Sequence, residues 1–337
     1  MPQTSTTNRR LVLAERPRGE PTKDTLRLET AEIPTPGPGQ MLLRTEYLSL
    51  DPYMRGRMSD APSYAAPVAI GAVMQGGTVA RVVTSRVAAF ASGDWVLSFN
   101  GWQDYALSDG TGVTALGRDP QHPSWALGIL GMPGFTAWAV LTQIGMPKPG
   151  ETLCVAAATG PVGATVGQIG KILGCHVVGI AGGPQKCVFA VGTLGFDACI
   201  DHKSTDFADQ LKAATPQGID IYFENVGGEI LDTVLLQMNL FGRIPVCGLI
   251  SAYNATAMPE GPKNLRCILT QRLKMQGLIV FDWEKQFPEA ISALGGWYKE
   301  GRLKIREDVR TGGLTKFVDT MNLLYTSGNN GKLVLKV

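Results

Sequence analysis

The chain has 337 residues, 44% hydrophobic and 18% charged, which is enough for two domains with cores of their own. Its 31 Lys and Arg against 29 Asp and Glu leave a net charge of +2, so nothing in the charge balance calls for nucleic acid or a membrane surface as partner. No apolar run approaches the roughly 18 residues of a membrane-spanning helix. Met1 to Arg10 is polar and lacks the apolar core of a signal peptide, and six scattered cysteines lie mostly in apolar runs; together they predict a cytoplasmic protein with reduced thiols.

Residues 1 to about 125 read as β-rich and irregular. Strands are predicted at 41–50, 76–83 and 94–99, with turns at Pro34 to Gly39 and Ala91 to Asp94 between them. Short strands with glycine-rich turns suggest a small barrel or sandwich. The pattern changes near Pro123. Ser124 is placed to cap a helix from Trp125, and a second helix covers 135–144, ended by Pro147-Lys-Pro-Gly150. Strands then follow at 152–157, 176–181, 198–200, 219–223, 242–248 and 273–281, with helices between. This alternation predicts a doubly wound parallel α/β sheet about six strands wide. An amphipathic stretch at 314–324 and a last strand at 332–337 close the chain, and that strand is expected to return to the first domain.

The stretch from Thr152 to Gly167 carries the strongest signal. An apolar strand breaks into a turn of small residues, and a helix follows. Ala158, Gly160 and Gly163 fill the three positions of a G-x-G-x-x-G dinucleotide fingerprint, with alanine in the first. The middle glycine lets a pyrophosphate approach the backbone and the third lets helix and strand pack closely. Pro161 and Val162 open the helix, whose N-terminus offers N–H groups to the anion.

The second strand, Cys175 to Ala181, ends in Gly182-Gly183-Pro184. An NAD site places an acid about 20 residues after the fingerprint to bond the ribose 2′-hydroxyl, yet no Asp or Glu occurs between Gly163 and Asp197. Lys186 follows the loop instead. An acid would repel a 2′-phosphate and a lysine attracts it, so the expected cofactor is NADP(H). Ligands of such sheets sit beyond the carboxyl ends of the strands. Asn225, and the segment Cys247-Gly248-Leu249-Ile-Ser251-Ala-Tyr253, are therefore expected to face the cofactor.

Four segments together resemble the zinc-independent medium-chain dehydrogenase/reductase superfamily: Asp51-Pro-Tyr-Met-Arg-Gly-Arg-Met58, Ala156 to Ala164, Glu224-Asn-Val-Gly-Gly228 and Cys247 to Asn254. Pro62-Ser-Tyr64 and Gly101-Trp-Gln-Asp-Tyr105 extend the likeness to the prostaglandin reductase and alkenal double-bond reductase branch, including its bacterial enone-reducing members. The resemblance covers nearly the whole chain. It implies a GroES-like β-barrel substrate domain (1–125 with 299–337), a Rossmann NADP-binding domain (126–298) and a homodimer. It also implies NADPH-dependent reduction of the carbon–carbon double bond of α,β-unsaturated ketones and aldehydes, curcumin-like enones and alkenals among them. By position it makes Lys186 the 2′-phosphate ligand and Asn329 a late cofactor contact. His202 stands at a nucleotide-contact position that mammalian members fill with tyrosine.

The residues themselves speak against a metal. The superfamily's Gly-His-Glu motif is replaced by Ile70-Gly-Ala-Val-Met-Gln-Gly76, no C-x-x-C spacing occurs, and the three histidines, His122, His176 and His202, have no evident partners. Without zinc, hydride addition to an enone's β-carbon leaves enolate charge for hydroxyl donors to stabilise. Tyr253, just past a strand end, is the expected donor, with the ribose 2′-hydroxyl; as a substrate-wall residue it is the alternative. Tyr64 is a second catalytic candidate, and Tyr53 lines the pocket or packs locally. Met54, Trp102, Met132 and Met258 are candidates for the apolar wall of a substrate site, with core packing as the alternative. Two other activities share this pattern: quinone reduction with the same cofactor, and non-catalytic NADPH sensing.

Overall fold

The computed structural model describes residues 7–337; the first six residues of the polar N-terminal segment lie outside the described residues. Two compact units form, one from the residues up to Leu127 together with Glu307–Val337, the other from Gly128–Arg306.

In the first unit β1 (Thr7–Leu13) pairs antiparallel with β2 (Leu26–Glu32), Arg10 opposite Glu29. These strands had no sequence signal because β2 buries only its first residue; with little apolar alternation, periodicity has nothing to register. β3 (Met41–Ser49), β4 (Thr78–Ser85), β5 (Trp95–Ser98), β6 (Tyr105–Ser108) and β7 (Thr114–Gly117) follow, with the short helix α1 (Tyr53–Arg57) after β3. β4 starts at Thr78 rather than at 76. A Cβ on Gly76 would sit 2.6 Å from the Trp102 indole nitrogen, so that backbone is pressed against the core. Ser124 caps no α-helix: Pro123–Leu127 is a 3₁₀ turn, and the Ser124 hydroxyl donates to the Glu307 carboxylate.

The second unit opens with α2 (Met132–Ala139), which continues as a π-helical turn over Val140–Gly145. Its sheet holds β8 (Thr152–Ala156), β9 (His176–Ala181), β10 (Ala198–Asp201), β11 (Ile219–Phe223), β12 (Met238–Val246) and β13 (Lys274–Gly277). All neighbours are parallel, in the order β10-β9-β8-β11-β12-β13. The helices are α3 (Pro161–Ile172), α4 (Pro184–Gly192), α5 (Phe207–Ala214), α6 (Gly228–Leu235), α7 (Arg266–Thr270) and α8 (Phe287–Lys299). Side chains alternate across a strand. Leu153 and Val155 of β8 therefore join a core with Phe135, Val166 and Leu294, while Cys154 and Ala156 join another with Leu211 and Leu231. Burial on both faces explains why β8 reads as an unbroken apolar run. The strand expected over 273–281 ends at Gly277, because Val246, its last partner, is the end of β12.

The chain re-enters the first unit at Glu307 with β14 (Glu307–Thr311), α9 (Phe317–Asn322) and β15 (Lys332–Lys336). β15 lies parallel to β14 and antiparallel to β3. The resulting seven-stranded sheet runs β14-β15-β3-β4-β5-β7, with β6 also on β3. The expected terminal strand is thus inside this sheet. Its first residue, Lys332, is 2% exposed, and its ammonium donates to the Asp51 carboxylate at 2.5 Å, the Ser49 hydroxyl at 2.7 Å and the Leu50 carbonyl at 3.0 Å. Ser49 donates in turn to the other Asp51 oxygen. This satisfied pair joins the C-terminal strand to the segment that leads into α1.

A buried ion left alone costs far more than a buried pair. Lys332→Met is expected to lower unfolding free energy by about 3–5 kcal/mol, with Asp51→Asn in the same background recovering part of it. Denaturant midpoints of the two variants check this; a loss under about 1 kcal/mol for Lys332→Met would show that water reaches the pair.

Candidate active site

The strand order reverses between β8 and β11, and at such a switch point the loops beyond the carboxyl ends of both strands face a common crevice. After β8 the chain turns through Ala157, whose φ of +50° is left-handed, and the Gly160 N–H donates to the Ala157 carbonyl at 2.9 Å. A Cβ on Gly163 would lie 2.4 Å from that same carbonyl oxygen, so only glycine lets α3 start this close to the strand. Pro161 brings no N–H, so the unpaired donors of the first turn are those of Val162 and Gly163. Ala158 fits the first fingerprint position because β9 places Gly179 against it: a Cβ on Gly179 would come within 2.8 Å of the Ala158 methyl. The turn presents first-turn N–H groups, an arrangement suited to an anion, and Ala158, Gly160, Pro161, Val162 and Gly163 all lie in it.

The next turn is also built around glycine. Gly183 has φ of +102° and precedes α4, whose first turn contains Lys186. The Gly183 N–H donates to Asp201 at 2.8 Å, and the Lys203 N–H to the same carboxylate oxygen at 3.0 Å. Asp201 was missed at the level of sequence. It follows a strand and precedes His202, and an acid there is silent until the β9–α4 turn is seen beside it. His202 is bonded through its backbone N–H to the Ala181 carbonyl. Burial holds its imidazole below the ordinary histidine range, and the cations of Lys203 and Lys186 push the same way against the pull of Asp201. Lys186 and His202 thus stand near each other beyond the end of β9, where burial and the neighbouring cations disfavour the charged form of His202.

Beyond β11 the Glu224 carboxylate is fully buried and accepts from the N–H groups of Val226 at 2.5 Å and Gly227 at 2.9 Å. Burial pushes it above the usual carboxylate range, and these donors pull it back. Glu224 is a second positioning residue that the sequence reading quoted without giving it a role. Its own carbonyl accepts from the Cys247 N–H at 2.9 Å, and the Val226 carbonyl accepts from the backbone and the hydroxyl of Ser251. The segment from Cys247 to Tyr253 is thereby laced to the loop holding Asn225.

The result is a tight convergence. A Cβ on Gly248 would lie 2.6 Å from the Asn225 side-chain oxygen and 3.1 Å from the Tyr253 hydroxyl. Asn225, Gly248 and Tyr253 meet at one point on the carboxyl side of the sheet. Leu249 and Ser251 flank them, against Gly227. Burial pushes the Cys247 thiol up to about 12, so it is protonated and not a nucleophile at neutral pH.

The first unit holds a separate group. Tyr53 begins α1, half-buried, and its phenol is held well above the usual tyrosine range by burial and by Asp51. Tyr64 lies in the following loop and is 56% exposed. Met54 and Trp102, weighed as substrate wall, are fully buried in this unit's core, where Trp102 packs on Phe317 at a ring separation of 3.4 Å; the structure gives them packing roles. Asn329 is also in this unit and closes its own turn by donating to the Gly331 carbonyl at 2.9 Å. In the second unit Met132 packs against the core that includes Phe135, and Met258 is 93% exposed in the loop past Tyr253. Among the described residues no group of three or more His, Cys, Asp or Glu side chains is arranged to hold a metal ion, and no helix is long and apolar enough to cross a membrane.

Comparison with known proteins agrees with this geometry. Residues 9–116 match the family described as the N-terminal domain of oxidoreductase, and residues 161–295 the family described as zinc-binding dehydrogenase. The chain is 55% identical to the NADPH-dependent curcumin reductase of Escherichia coli K12, over 100% of this chain and 99% of that one. It is 39% identical to the 2-alkenal reductase (NADP(+)-dependent) of Nicotiana tabacum, over 98% and 97%. Among solved structures, that of CurA in complex with NADPH from Vibrio vulnificus superposes with a TM-score of 0.94 at 54% identity, covering 98% of this chain and 99% of that one.

The resemblance makes Lys186 a 2′-phosphate ligand, and such a lysine matters only when that phosphate is present. Lys186→Ala is expected to raise the Michaelis constant for NADPH about tenfold or more and that for NADH by less than about twofold, in parallel steady-state titrations. Equal effects on both would contradict the assignment.

Proposed function

The chain belongs to the medium-chain dehydrogenase/reductase family, among the curcumin, alkenal and prostaglandin reductases, and from that premise we propose a zinc-independent mechanism of enone reduction centred on Tyr253. The protein is an NADPH-dependent oxidoreductase acting on the carbon–carbon double bonds of enones. We read its first unit as a GroES-like substrate domain and its second as the NADP-binding domain. Curcumin-like enones and alkenals are the substrates this reading assigns.

The residues fit the cofactor. The turn from Gly160 to Gly163, held close to the Ala157 carbonyl, would receive the pyrophosphate on the N–H groups of Val162 and Gly163. Lys186 meets the 2′-phosphate, with neutral His202 beside it as a hydrogen-bonding neighbour. Asn225 and the Cys247–Tyr253 segment hold the nicotinamide half. NADPH, when bound, supplies the hydride.

Hydride arriving at the β-carbon of an enone leaves charge on the carbonyl oxygen, and a hydroxyl aimed there lowers the barrier. The Tyr253 hydroxyl donates to that oxygen. A phenol suits this work because it stays protonated at neutral pH and so retains a proton to donate. Tyr64 is the second donor, and Tyr53 lines the substrate site. The single observation that carries the reading is the convergence of the Tyr253 hydroxyl and the Asn225 side chain over Gly248, beyond the strand ends at the switch point. The zinc-independent part is supported by the resemblance, in which Ile70 to Gly76 stands in place of the superfamily's Gly-His-Glu motif.

Tyr253→Phe is expected to lower turnover of an enone at least about tenfold while NADPH binding, followed by nicotinamide fluorescence, stays within about twofold. Unchanged turnover would move enolate stabilisation to another group and end this assignment.

A further inference from the structure

Two thiols of the second unit meet beside the lysine assigned to the nucleotide, and the mechanism above uses neither. Cys187 stands in the first turn of α4, directly after Lys186, and Cys199 is the second residue of β10, the edge strand of the sheet. Both are free and half-buried. Side chains alternate along β10: Ile200 enters the core with Leu211, while Cys199 packs with Cys187 on the core that holds Ala190 of α4 and Phe196. Asp201 lies on the same side as Cys199 and accepts from the Gly183 N–H at 2.8 Å, which fixes the start of α4 over the end of β10. From that bond the strand and the helix run back side by side. Two strand residues cover about 6.6 Å and one helical turn about 5.4 Å, so Cys199, two residues before Asp201, comes level with Cys187, four residues after Gly183.

The two thiols are in side-chain hydrogen-bond contact, with the Cys199 S–H donating and Cys187 accepting. This contact is the main cause holding Cys187 below the usual thiol range and Cys199 above it; burial and Asp201 oppose the shift at Cys187. The thiolate is the form that attacks a peroxide, so Cys187 is the sulfur placed to react and Cys199 the one placed to follow. Cys199 has little room to move. It pairs in register with Gly179 of β9, and a Cβ on that glycine would come within 3.1 Å of the Cys199 sulfur. A disulfide sets its sulfurs about 2.05 Å apart, closer than two thiols in hydrogen-bond contact. Closing the bond therefore draws the first turn of α4 toward β10, and Lys186 moves with it.

We propose that Cys187 and Cys199 form a peroxide-oxidised dithiol whose disulfide displaces Lys186 and weakens NADPH binding. The Cys187 sulfur attacks one peroxide oxygen, the O–O bond breaks and water leaves, giving a sulfenic acid. The Cys199 sulfur then attacks that sulfur, the S–O bond breaks, and hydroxide leaves as water with the Cys199 proton. The two thiols lose two protons and two electrons, and hydrogen peroxide is reduced to two waters. The coupling to NADPH rests on Lys186 meeting the 2′-phosphate.

The full-length enzyme is treated with hydrogen peroxide, its remaining thiols are blocked, and its peptides are mapped by mass spectrometry beside steady-state titrations with NADPH and NADH. A Cys187–Cys199 cross-linked pair that dithiothreitol opens is expected, with the Michaelis constant for NADPH raised about threefold or more and that for NADH changed less than about twofold. Cys199→Ala is expected to keep basal activity and lose the response to peroxide. In Lys186→Ala the cross-link should still form, and oxidation should change the Michaelis constant for NADPH less than about twofold, because the contact it disturbs is already gone. No cross-link in the parent enzyme would overturn the dithiol. A cross-link that leaves the Michaelis constant for NADPH unchanged would overturn the switch, and so would a peroxide response that survives in Cys199→Ala or Lys186→Ala. If Lys186→Ala weakens NADPH and NADH equally, the assignment of the lysine falls and the coupling with it, while the mapped cross-link still decides the dithiol. Should Cys199→Ala fail to fold, Cys187→Ser takes its place with the same expected loss of response and the same contrary result.

Discussion

The nucleotide end depends on how closely α3 approaches the end of β8. With a side chain at Gly163 the helix would have to retreat from the Ala157 carbonyl, and its first-turn N–H groups would move off the switch point. The same economy of atoms recurs on the neighbouring strand, where Gly179 makes room for Ala158. It recurs again past β12, where Gly248 lets Asn225 and Tyr253 meet. Three close approaches, each requiring a missing Cβ, put backbone donors, an amide and a phenol on one side of the sheet. The first two resist local relaxation, because β8 and β9 are buried on both faces.

Three acids hold turns and strand ends in place. Asp201 holds the turn before Lys186, and Glu224 holds the turn that presents Asn225. In the first unit Asp51 is matched to Lys332 just ahead of α1, which begins with Tyr53. Asp201 and Asp51 accept from donors already in place, and one Glu224 oxygen accepts from two backbone N–H groups while the other is buried without a partner. The tyrosine hydroxyls that we propose as donors suit a reaction that develops negative charge on a carbonyl oxygen.

Much of this was legible in the sequence because it is local. The strand–turn–helix around Ala158, Gly160 and Gly163 is contiguous, and so is the Gly182-Gly183-Pro184 turn before Lys186. β8 shows as an apolar run because both its faces are covered, which is a property of five consecutive letters. What escaped is non-local or weakly patterned. β2 buries only its first residue, and it finds β1 across a connection of irregular chain. Asp201 and Glu224 gain meaning only from turns that other strands bring to them. Met54 and Trp102 have the chemistry of a substrate wall, and only the packing of Trp102 on Phe317 and beside Gly76 shows that the core claims them. The limit of strand β13 was likewise set by its partner, since Val246 ends the pairing.

The central claim is that hydride goes to carbon conjugated with a carbonyl and not to the carbonyl itself. Reduction of an enone with NADPH deuterated at the transferable position, followed by NMR of the product, tests it most directly. The account predicts a saturated ketone carrying deuterium at the β-carbon, with a solvent-derived hydrogen at the α-carbon. Deuterium on the carbonyl carbon, in an unsaturated alcohol, would contradict it.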